Sequence, residues 1–289
     1  MASSNSVVVI PVYKETLSTF EIISLEQTFR ILNKHDICLI APDNIDIKNY
    51  KVIINKFSDD INIMLMSSIN FSSISSYNAM MMSVEFYERF LSYEFMLICQ
   101  LDCFVFSDEC DAWCAKGFDY IGAPWFEGFS TANINSRLKQ NAGNGGFSLR
   151  KVSSFIRVLK TNPSTRVLEL KDVWDLSDKG TFRKIIHFQG MVFWKFSYQN
   201  KFGRFLNNYL AKGTFEDLFF SIYAPKIDPN FRVASPQISM YFSFECLPRI
   251  LYERTKHQLP FGCHAWPKYD LEFWRPFIEK EGYVISEGG

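Results

Sequence analysis

The stretch Phe95-Met96-Leu97-Ile98-Cys99-Gln100-Leu101-Asp102-Cys103-Phe104-Val105-Phe106 decides the fold of this chain. A continuous apolar run with a polar pair near its end is typical of a central strand that is buried on both faces. The last residues of such a strand emerge beside the crevice in which open α/β sheets bind ligands. Asp102 lies at that point, and a buried carboxylate needs a cation, a hydrogen-bond donor or a metal. We therefore expect the function of the chain to involve Asp102.

Short patterned segments precede this strand, and their order predicts a mixed α/β fold. Residues 7–13 are β-branched and are interrupted by a proline, as expected of an opening strand. Helical spacing follows over residues 17–32. We further predict strands over residues 36–41 and 51–57 and a capped amphipathic helix over residues 75–90. Strands that alternate with helices indicate a mostly parallel central sheet with helices on both faces.

The second half of the chain has weaker patterns. It predicts a helix at residues 108–116, a strand at 120–125, helices at 151–160 and 215–223, a strand at 233–244 and a closing helix at 271–280. Residues 165–210 are aromatic and basic without a clear period, so we expect an insertion there. No repeat or flexible linker divides the chain, which favours a single domain over residues 1–289.

Composition and charge exclude several classes of protein. The 31 basic residues balance the 31 acidic ones, so bulk attraction to nucleic acid is not indicated. No run approaches the roughly 18 apolar residues of a spanning helix, and the polar residues 1–6 predict no secretory signal. The 7 cysteines have apolar neighbours, which indicates reduced thiols in a cytoplasm. Cys110 and Cys114 lack a second metal-binding pair, so we do not expect zinc.

Two candidate ligand contacts follow the first strand and the central strand. Tyr13 lies just beyond the first strand, where it could stack on a nucleotide base; the alternative is an ordinary surface tyrosine. Asp102 could hold Mg²⁺ or Mn²⁺ together with phosphate oxygens, because these cations prefer oxygen ligands. The alternative is an aspartate that caps the next turn.

Three further features could contribute to the same crevice. The loop Asn144-Gly145-Gly146 would let the backbone approach a ligand closely, with Asn144 bonding sugar hydroxyls, but Asn-Gly is also a hairpin signal. Glu216 and Asp217 begin a predicted helix, where acids normally act as caps, yet one of them could take a proton from an attacking hydroxyl. His264 follows a glycine turn and is either a metal ligand or a structural histidine.

Taken in this order, the segments resemble the GT-A superfamily of glycosyltransferases. Within it, the chain looks most similar to a family of bacterial glycan-assembly proteins labelled as a domain of unknown function. The matching stretches cover nearly the whole chain except residues 43–74 and 165–210. They are Val8 to Tyr13, Ser76-Tyr77-Asn78 with Phe86-Tyr87, Gln100-Leu101-Asp102 with Val105-Phe106, Asp119 to Trp125, Gly143 to Arg150, Glu216-Asp217, and Phe261-Gly262 with His264-Ala265-Trp266.

The resemblance implies a role for each matching residue. Asp102 would be the last acid of the superfamily's Asp-x-Asp motif, and His264 would join it in binding Mn²⁺ or Mg²⁺. Asp217, with Glu216 beside it, would be the general base of an inverting transfer. Trp125 and the loop Asn144, Gly145 and Gly146 would flank the sugars. The nucleotide pocket would be lined by Pro11, Val12, Tyr13, Glu15, Asn78, Gln100 and Leu101.

The resemblance also implies substrates and an internal division. Residues 1–125 would bind the nucleotide, and residues 126–289 would hold the donor and acceptor sugars. The donor would be a UDP-sugar, and the acceptor a glycan or a lipid-linked saccharide for a capsule or a lipopolysaccharide. Gln100 stands where the motif has its first acid, so we expect modest metal affinity. Two alternatives stay open: a retaining transferase, and a non-catalytic scaffold of a glycan assembly complex.

One stretch bears on localisation. Residues 182–205 contain several basic side chains among Phe and Trp, including Lys184, Lys195, Lys201 and Arg204. This composition allows a peripheral contact with the inner face of a membrane, where lipid-linked acceptors lie. A solvated face over an aromatic core is the alternative.

Overall fold

The computed structural model describes residues 5–58, 62–161 and 215–285. Its strands are β1 (Ser6–Pro11), β2 (Asp36–Pro42), β3 (Asn62–Met66), β4 (Phe95–Cys99), β5 (Phe104–Val105), β6 (Tyr120–Gly122), β7 (Pro124–Phe126), β8 (Leu138–Ala142), β9 (Phe147–Lys151), β10 (Ser243–Phe244) and β11 (Gly262–Cys263). Six of these strands form a central sheet in the order β3-β2-β1-β4-β9-β6. Two small sheets, β10-β11-β5 and β7-β8, complete the strands of the described residues.

The helices are short, apart from the first and the last. They are α1 (Thr19–Ile31), α2 (Lys48–Ile54), α3 (Ile74–Met81), α4 (Val84–Glu88), α5 (Cys110–Ala115), α6 (Val152–Lys160), α7 (Glu216–Leu218), α8 (Ala224–Ile227), α9 (Pro236–Phe242), α10 (Pro248–Arg254) and α11 (Leu271–Lys280). A wider π-helical turn, Phe219–Tyr223, joins α7 to α8. Single 3₁₀ turns lie at Ser68–Phe71 and Phe129–Thr131.

Strands β1 and β4 lie at the centre of the large sheet, and every residue of both strands is buried. Alternate side chains face opposite helical layers because successive residues of a strand point to opposite faces. Val8 belongs to the same buried cluster as Phe29 of α1. Val9 belongs to a second cluster with Phe86 of α4 and Phe155 of α6. Burial on both faces explains why these two strands have continuous apolar sequences.

The predicted mixed, mostly parallel α/β sheet is confirmed. β1 pairs in parallel with both β2 and β4, β2 pairs in parallel with β3, and β9 runs antiparallel to β4 and β6. The chain leaves β1 towards β2 and later returns to the other side of β1 through α3 and α4. In open α/β sheets, the crevice outside the carboxyl ends of two such strands is where ligands bind. In this protein those strands are β1 and β4.

The small sheet β10-β11-β5 positions three side chains that are distant in sequence. Phe244 of β10 pairs with Cys263 of β11, and Cys263 also pairs with Phe104 of β5. Glu245 and His264 are the residues that directly follow the two parallel strands, and the backbone N–H of His264 donates to Phe244 O at 2.9 Å. Asp102 lies two residues before β5. This sheet therefore gathers Asp102, Glu245 and His264 at one edge.

The central strand is shorter than the sequence predicts. It ends at Cys99, and residues 100–103 form a turn in which the N–H of Cys103 donates to the carbonyl of Gln100 at 3.0 Å. Phe104–Val105 then pair in the small sheet instead. The apolar run continues because both sheets bury their strands, so composition alone hides the break. Asp102 lies in the turn.

Two predicted strands are helices. Residues 51–57 overlap α2, whose buried residues Tyr50, Ile53 and Ile54 have helical spacing. The third strand of the sheet is β3, which no sequence signal had indicated. Residues 233–244 consist mainly of α9, which begins at Pro236 and ends in the two-residue strand β10. Short segments with only a few apolar residues can fit both the helical and the strand period, so packing decides between helix and strand.

Other segments differ less from expectation. The helix predicted over residues 75–90 is two helices, because Ser83 caps a new helix by accepting from the N–H of Phe86 at 3.2 Å. The closing helix at 271–280 is confirmed as α11. The predicted insertion at 165–210 and the basic stretch at 182–205 lie outside the described residues. Within the part of the chain that is described, no helix has the length and apolar character to cross a membrane.

Candidate functional site

A cavity of about 780 Å³ opens at the carboxyl ends of β1 and β4. This volume lies within the range of small-molecule sites, roughly 300–1,000 Å³. Most side chains singled out from the sequence share its wall. They are Pro11 at the end of β1, Tyr13 after it, Asn78 on α3, Gln100, Leu101 and Asp102 after β4, Asn144, Gly145 and Gly146 before β9, Glu216 and Asp217 on α7, and His264 after β11.

One part of the wall is a histidine cluster, which we define as Asp102, Glu245 and His264. The Nε2 atom of His264 lies 3.3 Å from Asp102 Oδ1, and its Nδ1 atom lies 3.1 Å from Glu245 Oε1. The side chain of Asp102 is 43% exposed, whereas those of His264 and Glu245 are nearly buried. His264 therefore lies between two carboxylates, one at the cavity surface and one behind it.

The members of the histidine cluster shift one another's pKa values. Burial lowers the pKa of His264, but the charge and hydrogen bond of Asp102 and the hydrogen bond of Glu245 outweigh burial and raise the pKa to about 10. Burial raises the pKa of Asp102, but the charge and hydrogen bond of His264, with smaller contributions from a backbone hydrogen bond and Lys268, together outweigh it, so the pKa of Asp102 falls below its usual value. At neutral pH the cluster thus contains an imidazolium held by carboxylates.

Glu245 was not identified from the sequence. Its Oε1 atom accepts from both His264 and the Nδ2 atom of Asn144, the latter at 2.9 Å. Asn144 in turn accepts the N–H of Gly146 through Oδ1 at 2.7 Å. One carboxylate thus orients both a histidine and the glycine loop of the cavity. The only sequence signal was a lone acid within the apolar stretch 238–247.

The loop Asn144-Gly145-Gly146 is not a hairpin turn. The strands on either side of it lie in different sheets, since β8 pairs with β7 and β9 pairs with β4 and β6. A Cβ on Gly145 would collide with the carboxylate of Glu216, and a Cβ on Gly146 would collide with the ring of His264. The two glycines therefore make room for charged side chains of the protein itself.

Glu216 and Asp217 form a second part of the wall, and together with the buried Arg150 we define them as the acidic cluster. Arg150 and Glu216 are both buried, and Arg150 Nη2 lies 2.9 Å from Glu216 Oε1. Arg150 also donates to Tyr87 Oη at 3.0 Å and to Ser148 Oγ at 3.0 Å. Burial lowers the pKa of Arg150, but the charge of Glu216 outweighs this and raises it. Arg150 ends one of the stretches that match the superfamily, but no role was assigned to it from the sequence.

Asp217 behaves differently from its neighbour. It is partly buried, and its Oδ1 atom accepts the adjacent N–H of Leu218 at 2.7 Å. Burial, with the negative charge of Glu216 added, raises the pKa of Asp217 to about 7. Phe215 at the N-cap position of α7 makes no side-chain cap hydrogen bond, and both acids lie in the first turn of the helix. A carboxylate that titrates near neutral pH can accept or release a proton during a reaction.

Three residues predicted as ligand contacts do not line the cavity. Val12 is completely buried in the core against α1 and α2. Glu15 faces the segment before α2, where it accepts from the N–H of Asp46 at 3.3 Å. Trp125 is 4% exposed on β7 and contacts Phe129. Adjacent residues of an extended chain point in opposite directions, so a motif cannot place all its members in one site.

A divalent metal fits this wall only with help from a ligand. Among residues 5–58, 62–161 and 215–285, no three His, Cys, Asp or Glu side chains are grouped to hold a metal. Asp102 and His264 offer two donors, and Gln100 Oε1 lies 3.2 Å from His264 Nε2. Glu245 behind Nδ1 is the partner that a metal-binding histidine usually has. Phosphate oxygens would have to complete the set, and the metal would replace the Nε2 proton.

A sequence profile covers most of the chain. The profile of the family described as "Protein of unknown function (DUF5672)" matches residues 60–264, which include Asn78, Asp102, Asp217 and His264. Among curated proteins, none matches the sequence.

Solved structures with a partly similar fold are glycosyltransferases. Galactosyltransferase LgtC, in complex with donor and acceptor sugar analogues, has a TM-score of 0.46 and 10% identity over 97% of this chain and 98% of that one. GlyE of Streptococcus pneumoniae has a TM-score of 0.40 and 11% identity over 95% of this chain and 60% of that one. Core-mannan synthase A of Aspergillus fumigatus, in an Mn/GDP form, has a TM-score of 0.33 and 10% identity over 44% of each chain. The chain thus spans less than two thirds of the last two proteins. Likenesses this distant do not identify an activity.

Proposed function

The chain belongs to the DUF5672 family, and we propose that it is a glycosyltransferase. It would move a sugar from a nucleoside diphosphate donor to a saccharide hydroxyl, with inversion at the anomeric carbon. One observation carries this proposal: a single cavity at the carboxyl ends of β1 and β4 combines a carboxylate of pKa about 7 with a fixed cationic histidine. Such a transfer needs a proton acceptor for the nucleophile and positive charge for the leaving diphosphate.

The histidine cluster suits the leaving group. When the bond between the anomeric carbon and the diphosphate breaks, the diphosphate keeps the electron pair and its negative charge grows. His264, held in place by Asp102 and Glu245, supplies a donor and a positive charge at the cavity wall. If a metal binds, Asp102, His264 and the amide oxygen of Gln100 would hold it, and it would contribute positive charge to the diphosphate.

The acidic cluster suits the nucleophile. Asp217 accepts the proton of an acceptor hydroxyl, whose oxygen then forms the bond to the anomeric carbon from the face opposite the diphosphate. Arg150 forms its ion pair with Glu216, and its charge lowers the pKa of Asp217 by less than burial and the charge of Glu216 raise it, so the pKa of Asp217 stays raised. A base with a pKa near the working pH is the most effective one. The remainder of the wall, including the exposed Tyr13, is available for the nucleotide.

The first experiment separates binding from transfer. Calorimetry with UDP, GDP, UDP-glucose, UDP-galactose and GDP-mannose, each with and without Mn²⁺, should give binding to at least one ligand. Asp217→Asn should then reduce transfer by about 10²- to 10⁴-fold, the usual contribution of a general base, and leave nucleotide affinity unchanged. Asp228→Asn, at a surface ion pair with Arg157, serves as the control. Transfer by Asp217→Asn at the wild-type rate would remove the base assignment.

One observation supports a second candidate function. The described residues lack a three-ligand metal group, as a nucleotide-binding scaffold without catalysis would. Binding of a nucleotide sugar with no hydrolysis and no transfer, with or without Mn²⁺, would favour the scaffold. If transfer occurs, the anomeric configuration of the product, read by NMR, decides between inversion and retention.

A further inference from the structure

Glu216 has one carboxylate oxygen without a partner. The residue is 4% exposed, and it lines the cavity. Its Oε1 atom accepts from Arg150, but its Oε2 atom has no hydrogen-bond partner among the residues that the structure describes. Leaving a buried charged acceptor unsatisfied is costly, and nearly all such atoms in proteins have partners. A ligand that occupies the cavity can supply the missing donor.

The neighbours of Glu216 hold it in place as an acceptor. Arg150 is completely buried, and its Nη2 atom also donates to the carbonyl of Gly145 at 3.1 Å. The backbone N–H of Glu216 donates to Asn78 Oδ1 at 3.2 Å. Because Gly145 has no Cβ, the Oε1 atom of the carboxylate can lie close against the loop. With a guanidinium on its other oxygen, the carboxylate presents a fixed negative acceptor, which attracts O–H or N–H groups and repels anions.

The loop relates the carboxylate of Glu216, through its Oε1 atom, to the histidine cluster. Glu216 contacts the position of Gly145, and His264 contacts the position of Gly146. Consecutive Cα atoms are about 3.8 Å apart, so the two side chains approach neighbouring points of one loop. A diphosphate held at His264 therefore places whatever it carries beside Glu216. In a nucleotide sugar, that group is the sugar.

We propose that Glu216 Oε2 accepts a hydrogen bond from a hydroxyl of the transferred sugar, which makes Glu216 a residue that determines donor specificity. This inference rests on the proposed glycosyltransferase function. It assigns Glu216 to substrate recognition, whereas Asp217 next to it acts on the acceptor hydroxyl. The donor would be a neutral sugar with a free hydroxyl at that point, because a phosphate or carboxylate there would meet the charge of Glu216.

The test compares sugar recognition with nucleotide recognition. In Glu216→Gln, the amide oxygen can still accept from Arg150, but an N–H donor replaces the free acceptor. We expect kcat/KM for the preferred nucleotide sugar among UDP-glucose, UDP-galactose and GDP-mannose to fall about 10- to 100-fold, as for loss of a hydrogen bond to a charged group. Affinity for UDP or GDP alone should not change. Glu281→Gln, which removes a carboxylate from an ion pair with Arg30, is the matched control and should behave as wild type.

The wild-type protein gives a second measurement that does not depend on a variant folding. With the wild-type protein, one monodeoxy form of the preferred donor should have a lower kcat/KM than the parent donor, by about the same factor as Glu216→Gln lowers kcat/KM for the parent. Wild type and Glu216→Gln should use that monodeoxy form equally well. If every monodeoxy donor is used as well as the parent, the inference is wrong while the glycosyltransferase proposal stands. If wild type binds no nucleotide and no nucleotide sugar of the set, both fall together.

Discussion

The histidine cluster and the acidic cluster both contribute side chains to the same cavity, yet the pKa values of their aspartates are shifted in opposite directions. The pKa of Asp102 is lowered, whereas that of Asp217 is raised. In the histidine cluster, the charge and hydrogen bond of His264, with smaller contributions, outweigh burial and lower the pKa of Asp102. In the acidic cluster, burial and the charge of Glu216 raise the pKa of Asp217 to about 7. The difference comes from where the cations lie: His264 is beside Asp102, whereas Arg150 is bonded to Glu216.

This difference shows how one cavity can hold fixed charge and a movable proton at once. A cation adjacent to an acid stabilises its ionised form, and a neighbouring acid destabilises it. When two titratable groups of a site have pKa values that are pushed apart, the acid and base roles follow from the environment rather than from residue type. Removing a cation, a carboxylate or a proton from one cluster should therefore change that cluster in a predictable direction.

The largest effect should come from removing the cation of the acidic cluster. Arg150→Leu leaves Glu216 buried without its ion-pair partner, so the free energy of unfolding should fall by about 3–5 kcal/mol. Urea denaturation followed by circular dichroism measures it. Replacing both members of the pair, Arg150→Leu with Glu216→Leu, should recover most of the loss. A single variant as stable as wild type would mean that the pair does not compensate Glu216.

The next effect should come from the histidine cluster. Glu245→Ala removes the acceptor of both His264 and Asn144, so kcat should fall about 10- to 100-fold, the usual cost of losing the partner of a functional histidine. Glu245→Gln should retain more activity, because its amide oxygen can still accept both bonds. Equal loss in the two variants would indicate that the charge of Glu245 matters and the hydrogen bonds do not. Steady-state kinetics on both variants provides the measurement.

A smaller, graded effect should follow pH. Because Asp217 accepts a proton only when ionised, kcat/KM should rise with pH and level off above about 7. Below that value it should change roughly tenfold per pH unit, as for a single titrating base. A rate profile from pH 5 to 9 tests this. A plateau that extends unchanged down to pH 5 would contradict the assignment of Asp217.

The raised pKa of Asp217 also determines in which direction the free energy of unfolding changes with pH. Between pH 3.8, the ordinary pKa of an aspartate, and a pH of about 7, the carboxyl group of Asp217 holds a proton in the folded protein but not in the unfolded chain. The free energy of unfolding contributed by Asp217 is therefore complete below the lower value and is lost as pH rises to about 7. Asp217→Asn lacks this loss, so its stability relative to wild type should be higher at pH 8 than at pH 5. Chemical denaturation at the two pH values provides the comparison.

The smallest effect should come from a residue outside both clusters. Trp125 is buried on β7 away from the cavity, so Trp125→Phe should leave nucleotide-sugar affinity and transfer unchanged. Calorimetry and the transfer assay with the preferred donor measure both. A marked loss of nucleotide-sugar affinity, with the free energy of unfolding unchanged, would indicate that Trp125 does contact the ligand.

Sequence patterns were most reliable where burial is uniform. β1 and β4 are buried on both faces, so their apolar runs indicated central strands and placed the residues that follow them at the crevice. Sequence patterns were wrong where a short, partly apolar segment fits both the helical and the strand period. Examples are α2 and α9, which were predicted to be strands. Element length is set by partners in the fold, and the sequence does not contain that information locally.

The sequence by itself determined the mixed sheet, the crevice at the ends of β1 and β4, and the candidacy of Asp102, Asp217 and His264, because strand burial and polar residues at strand ends are local features. Only the tertiary structure decided that Glu245 accepts a hydrogen bond from His264 and that Arg150 forms its ion pair with Glu216. It also showed that Val12, Glu15 and Trp125 lie off the cavity. The physical reason is that a pKa depends on charges a few ångströms away in space, and those neighbours are 19 and 66 residues away in the chain.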